Sequence, residues 1–146
     1  MKALMKKHLK NQKGLTLIEL LAVVVILGII AAIAIPSIGG IINNTRIDAH
    51  IANAEQMVNA VKTAKATNVG DGKSYTLKEL VDGGLIEDPD MPGSKGKYNG
   101  TSSKVDFDKD VYTVTLVASG ESGVTVLNKT VEQLRGDNRR TGVNLP

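Results

Sequence analysis

The chain has no cysteine and no tryptophan among its 146 residues, and only two histidines. Without cysteine there is neither a disulfide framework nor a thiolate metal site, and the redox compartment leaves no mark. Aromatic side chains make up 3%: Tyr75, Tyr98, Phe107 and Tyr112. That is too few for a base-stacking platform or an aromatic ligand cage. His8 and His50 lie far apart in sequence, and there is no Gly-x-Ser-x-Gly. A phosphate-cradling loop is missing as well, since Gly70-Asp71-Gly72 closes a helical pattern where that motif would open one. The chain reads as a non-enzyme, with no catalytic residue and no cofactor.

Acid is absent from the first fourteen residues, which carry Lys2, Lys6, Lys7, Lys10 and Lys13. The remaining 13 basic residues face 15 acidic ones, so the rest is mildly acidic despite an overall charge of +3. A nucleic-acid surface finds little support in that balance. What is abundant is apolar sequence in one place. Leu15 to Ile35 carries a single charge, Glu19, and 21 residues at 1.5 Å each span about 31 Å, close to a bilayer's hydrocarbon core. Lysines on its N-terminal flank place that end in the cytoplasm by the positive-inside rule. A lone carboxylate in such a helix is costly, roughly 2.5–3.5 kcal/mol at mid-membrane, and invites a search for its partner.

Three readings fit a basic flank before an apolar run: a cleaved secretory signal, a plain single-pass anchor, and a more specific one. The string KGLTLIELLAVVVILGIIAAIAIP, residues 13–36, strongly resembles the N-terminus of bacterial type IV pilins and pseudopilins. The resemblance implies an α+β fold, a long N-terminal transmembrane and spine α-helix packed on a small antiparallel β-sheet. It also implies that a prepilin peptidase cuts after Gly14 and methylates the new amine of Leu15, where the family most often has phenylalanine. That amine would then neutralise Glu19 of a neighbouring subunit. The implied partners are like subunits in a homopolymer, the prepilin peptidase, a pilus assembly platform with its ATPase, and the cytoplasmic membrane. Gly28 and Pro36 join the candidate assembly residues: glycine and β-branched neighbours weaken the helix. Proline should kink it near Ala32–Pro36, and the resemblance implies that this stretch can unwind in the fibre. The bland reading is a merely kinked span, with Glu19 snorkelling to the headgroups.

Beyond the apolar run, Ile47, Ile51, Ala54, Val58 and Val61 form an amphipathic stripe, widened by Met57 and Ala64. The helix should reach about Asn68 and end at Gly70-Asp71-Gly72. His50 on this helix is expected to be solvated or capping, with metal binding disfavoured. Thr76-Leu77-Lys78-Glu79 is a capping-box pattern that should start a short helix over Leu77–Asp82, stopped by Gly83-Gly84. Asp88 to Gly93 reads as a surface loop. Strands are expected at Lys104–Phe107, Val111–Ala118 and Gly123–Leu127 in an antiparallel meander, with Tyr112, Val114 and Leu116 facing the helical stripe. A short helix at Thr130–Arg135 and a mobile tail from Asp137 complete the chain. The expected domains are a leader, 1–14; a transmembrane and assembly helix, 15–36; a spine, 37–69; a connection, 70–101; and the sheet and tail, 102–146.

Asp106, Asp108 and Asp110 have the spacing that opens a calcium loop. Val111 and Val117 then occupy the positions that need glycine and glutamate, so no metal site is assigned. Lys95, Lys97 and Lys104 could touch phosphate, but with no stacking surface a solvated loop is preferred and DNA stays unsupported as a partner. The function read from the residues and the resemblance is a prepilin, the structural subunit of a type IV pilus. Adhesion, motility or DNA uptake would be its outcome. The alternatives are a pseudopilin of a secretion or competence system and a membrane-tethered extracellular binding domain.

Overall fold

The computed structural model describes residues 16–68, 72–120 and 123–146. A 50-residue helix, α1, runs Leu17–Ala66 and contains Pro36. It is followed by β1 (Ser74–Thr76), α2 (Leu77–Asp82), β2 (Lys104–Asp108), β3 (Val111–Val117), β4 (Thr125–Thr130) and α3 (Val131–Arg135). All three strand pairings are antiparallel and the sheet order is β1-β2-β3-β4. The chain divides into two units within α1, one up to Ile41 and the other Ile42–Pro146.

The unit from Ile42 has an apolar core because two periodicities agree. Ile51, Ala54, Met57, Val58, Val61 and Ala64 of α1 are buried, as their spacing of three and four requires. Val105, Val114, Leu116, Val126 and Leu127 of the sheet join the same cluster, with Tyr112 at its margin. The Leu77–Asp82 helix forms where the capping box places it. Thr76 accepts from the Glu79 amide, and the Glu79 carboxylate takes the Thr76 amide at 2.8 Å. Thr130 and Gln133 repeat the device at the start of α3. Lys109 and Asp110, at φ 45 and 68, make the two-residue turn between β2 and β3, the backbone a tight hairpin needs.

Three expectations change. α1 holds Pro36 inside one helical span, where proline withdraws a backbone donor. Its end falls at Ala66, where Asn68 adopts φ 55, a left-handed residue in the role usually taken by glycine. Gly70 and Asp71 lie outside the described residues. The last strand starts two residues later and ends three later than Gly123–Leu127, held by pairing of Thr113 with Thr130 and Val114 with Lys129. β1 has no sequence pattern of its own, being three residues long, and pairing of Tyr75 with Val105 makes the strand.

The tail is not free. Arg140 makes a two-pronged pair with Asp48 of α1, at 2.8 and 2.5 Å, and Arg139 approaches the same carboxylate. The Asn144 amide donates to the Val126 carbonyl at 2.8 Å, and Val143 packs on the core. The Arg140 guanidinium holds the Asp48 carboxyl below its ordinary range. The loop before the sheet is pinned too, by buried Met91 and by Gly93. Gly93 has φ +80, and a side chain there would come within 2.8 Å of Arg46 Cδ. Gly93→Ala is expected to cost about 1–2 kcal/mol, the left-handed penalty of a Cβ, read as a lowered thermal midpoint.

Candidate assembly site

Among the described residues one helix is long and apolar enough to cross a membrane. Its first half is apolar all round. Leu17, Ile18, Ile33 and Ile35 are 92%, 74%, 73% and 69% exposed in the single chain, and Ile38, Ile41 and Ile42 extend the exposed row past Pro36. A helix with no polar face requires a surrounding that is itself apolar.

The one charge of this stretch sits at its first turn. Thr16 is the N-cap: its amide and its hydroxyl both donate to Glu19 Oε2, at 2.7 and 2.8 Å, and the hydroxyl accepts from the Glu19 amide at 3.3 Å. This is a third capping box, and it satisfies backbone donors that lipid would leave bare. Glu19 also lies at the positive end of the helix. The spacing Thr16-x-x-Glu19 is that of Thr76-x-x-Glu79, so the cap has a signal in the sequence. Glu19 Oε1 takes no hydrogen bond among the described residues, which leaves half the carboxylate open. Gly14 and Leu15 lie outside the described residues. A Cβ at Gly28 would meet nothing within 4 Å, so no neighbour among the described residues demands glycine there.

The other candidates resolve differently. Among the described residues no group of three His, Asp or Glu is placed to hold a metal. Asp106 is engaged by Ser74 Oγ at 2.7 Å and Lys104 Nζ at 2.9 Å, while Asp108 and Asp110 are exposed. The basic cluster is broken up by the same kind of pairing. Lys97 bonds Asp90 at 2.9 Å and Asp88 at 3.5 Å, and Lys104 is held by Asp106. The expectation for His50 is overturned. It is fully buried, with Nδ1 2.6 Å from the Tyr98 hydroxyl, and the Tyr98 oxygen accepts from Asn53 Nδ2 at 3.2 Å. Burial holds its pKa below the ordinary histidine value. The stripe spacing places position 50 beside Ile51 and Ala54, and only a partner 48 residues away makes its burial tolerable.

Residues 9–35 match the model of the prokaryotic N-terminal methylation motif. A fimbrial protein of Pseudomonas aeruginosa is 40% identical over 116 residues, covering 76% of this chain and 70% of that protein. The chain belongs to the type IV pilin family. The type IV major fimbrial protein FimA of Dichelobacter nodosus is 33% identical over 122 residues, 79% of this pilin and 61% of that relative. No solved structure matches the chain significantly. The relatives are structural fimbrial proteins, and the helix-on-sheet architecture of this pilin is the α+β arrangement of the family.

Proposed function

We propose that this pilin is made as a prepilin, cut after Gly14 and methylated at the amine of Leu15. It then polymerises through its apolar helix into a surface pilus. The observation that carries this is Glu19. Its Oε2 is occupied by Thr16 while Oε1 takes no hydrogen bond among the described residues, and a neighbour's Leu15 ammonium supplies the counter-charge. Cleavage after Gly14 keeps the Leu15–Thr16 peptide, so the cap survives processing. Before assembly the helix rests in the cytoplasmic membrane, N-terminus inside, as the lysine flank favours. An assembly platform and its ATPase then draw it out. In the fibre, neighbouring helices replace lipid around the exposed isoleucines, valines and leucines, so packing quality decides the assembly free energy. Gly28 and Pro36 mark where the helix yields as it packs.

The fimbrial relatives favour a pilus over a secretion pseudopilus, and electron microscopy for long filaments containing this chain separates the two. Adhesion, motility and DNA uptake are outcomes of such a fibre. The decisive measurement for processing is the intact mass of the protein from cell envelopes. It should begin at Leu15 and carry one methyl group. A chain that still bears Met1 and never polymerises overturns the proposal.

A further inference from the structure

The core-facing row of β4 ends on a charge. Leu127 and Lys129 lie on one face of the strand, opposite Leu116 and Val114 of β3, both fully buried. The position of Lys129 calls for an apolar side chain, yet a lysine occupies it at 9% exposure. Among the described residues its ammonium has one hydrogen bond, to the Asn138 carbonyl at 3.3 Å, and that oxygen already accepts from the Thr141 amide at 3.1 Å. No carboxylate lies within ion-pair distance among the described residues, although fifteen acids are spread over the chain. A cation this deep is tolerated only when something offsets its lost hydration.

Above it opens a cavity of about 430 Å³, within the size range of small-molecule sites. Lys129 contributes to its lining, and Asn128, Gln133, Asp137, Asn138 and Thr141 supply exposed amide, hydroxyl and carboxylate groups around it. Gln133 spends its Oε1 on the Thr130 amide at 3.0 Å, which leaves its side-chain NH₂ to donate. Exposed polar side chains and an apolar wall around one buried cation fit a ligand with a single negative charge on a body that carries both hydroxyls and C–H faces. Asp137 on the rim disfavours a doubly charged phosphate and can accept sugar hydroxyls.

We propose that this cavity binds a carboxylated sugar, its carboxylate on Lys129 Nζ and its hydroxyls on the amide and hydroxyl walls. This is a binding site separate from the assembly helix, and it stands whether or not the Glu19 pairing holds.

The test is titration calorimetry on the full-length protein in detergent micelles, with galacturonate as probe and galactose and inorganic phosphate as comparisons. Saturable galacturonate binding is expected, with galactose at least about tenfold weaker because the charge-assisted bond is missing. Lys129→Met keeps the apolar stem and should lose about tenfold or more in affinity. Asp137→Asn, at an exposed position, should bind galacturonate more tightly and guards against a Lys129→Met variant that fails to fold. Absence of saturation, equal binding of galactose, phosphate binding as tight as galacturonate, or unchanged affinity in Lys129→Met with no gain in Asp137→Asn each overturns the site. Lys129 is then a side chain that covers the core and holds Asn138.

Discussion

Glu19→Val should leave cells without surface filaments while the protein accumulates in the membrane, still cut after Gly14. The two effects have opposite sign, which makes the result diagnostic. Removing the carboxylate makes the helix cheaper to keep in lipid, by at most roughly 2.5–3.5 kcal/mol and less near the interface. In the fibre the same change strands a neighbour's Leu15 ammonium, and a buried charge without its partner costs about 3–5 kcal/mol. The variant is therefore better placed in the membrane and worse placed in the polymer. Glu19→Gln separates charge from cap, because glutamine serves equally at the third helical position of a capping box. It should keep the Thr16 bonds, retain normal processing, and still fail to assemble. Filament counts by electron microscopy and the intact mass of the membrane-bound protein read the two halves. Normal fibres from Glu19→Gln would assign the role to the Thr16 cap and end the ion-pair account.

Much of this architecture was legible because local signals agree with the final fold. The α1 stripe, the Thr76 capping box and the β3 strand each follow from periodicity or spacing, and each lies where its residues require. What escaped has a common cause in contacts distant along the chain. β1 exists because Val105 pairs with Tyr75, and β4 runs to Thr130 because β3 continues beside it. The lysine at 129 broke the apolar alternation that would have announced that extension. The tail has no pattern of its own, yet Arg140 and Asp48, 92 residues apart, tie it to α1. In the assembly site the charge at Glu19 dominates the sequence signal, although the Thr16-x-x-Glu19 capping pattern is there beside it. An acid in an apolar helix commands attention, while a threonine three residues earlier passes as background.

The buried His50–Tyr98 pair carries the second large effect, in stability. Asn53 Nδ2 occupies a lone pair of the Tyr98 oxygen, so the hydroxyl proton is free to point at His50 Nδ1 2.6 Å away. The histidine is then neutral with its proton on Nε2, which has no partner among the described residues. Burial pushes the Tyr98 hydroxyl up to about 12, so it stays a donor across the physiological range. Tyr98→Phe removes the partner of two groups at once and should cost about 1–3 kcal/mol, the penalty for leaving buried polar atoms unsatisfied. The pH dependence follows from the direction of the histidine shift. In the unfolded chain His50 titrates near an ordinary value, roughly 6.5. In the folded chain its pKa lies below that because burial disfavours the cation. Between the two values the unfolded state binds a proton that the folded state refuses. The stability His50 allows is therefore complete above about pH 6.5 and falls as acid is added. Denaturant melts of the full chain in micelles, followed by tyrosine near-ultraviolet dichroism from pH 7.5 to 5, should show this acid limb. His50→Leu should flatten it, whatever its own midpoint. An acid limb of equal slope in His50→Leu places the titration in other residues and leaves the buried pair a purely structural contact.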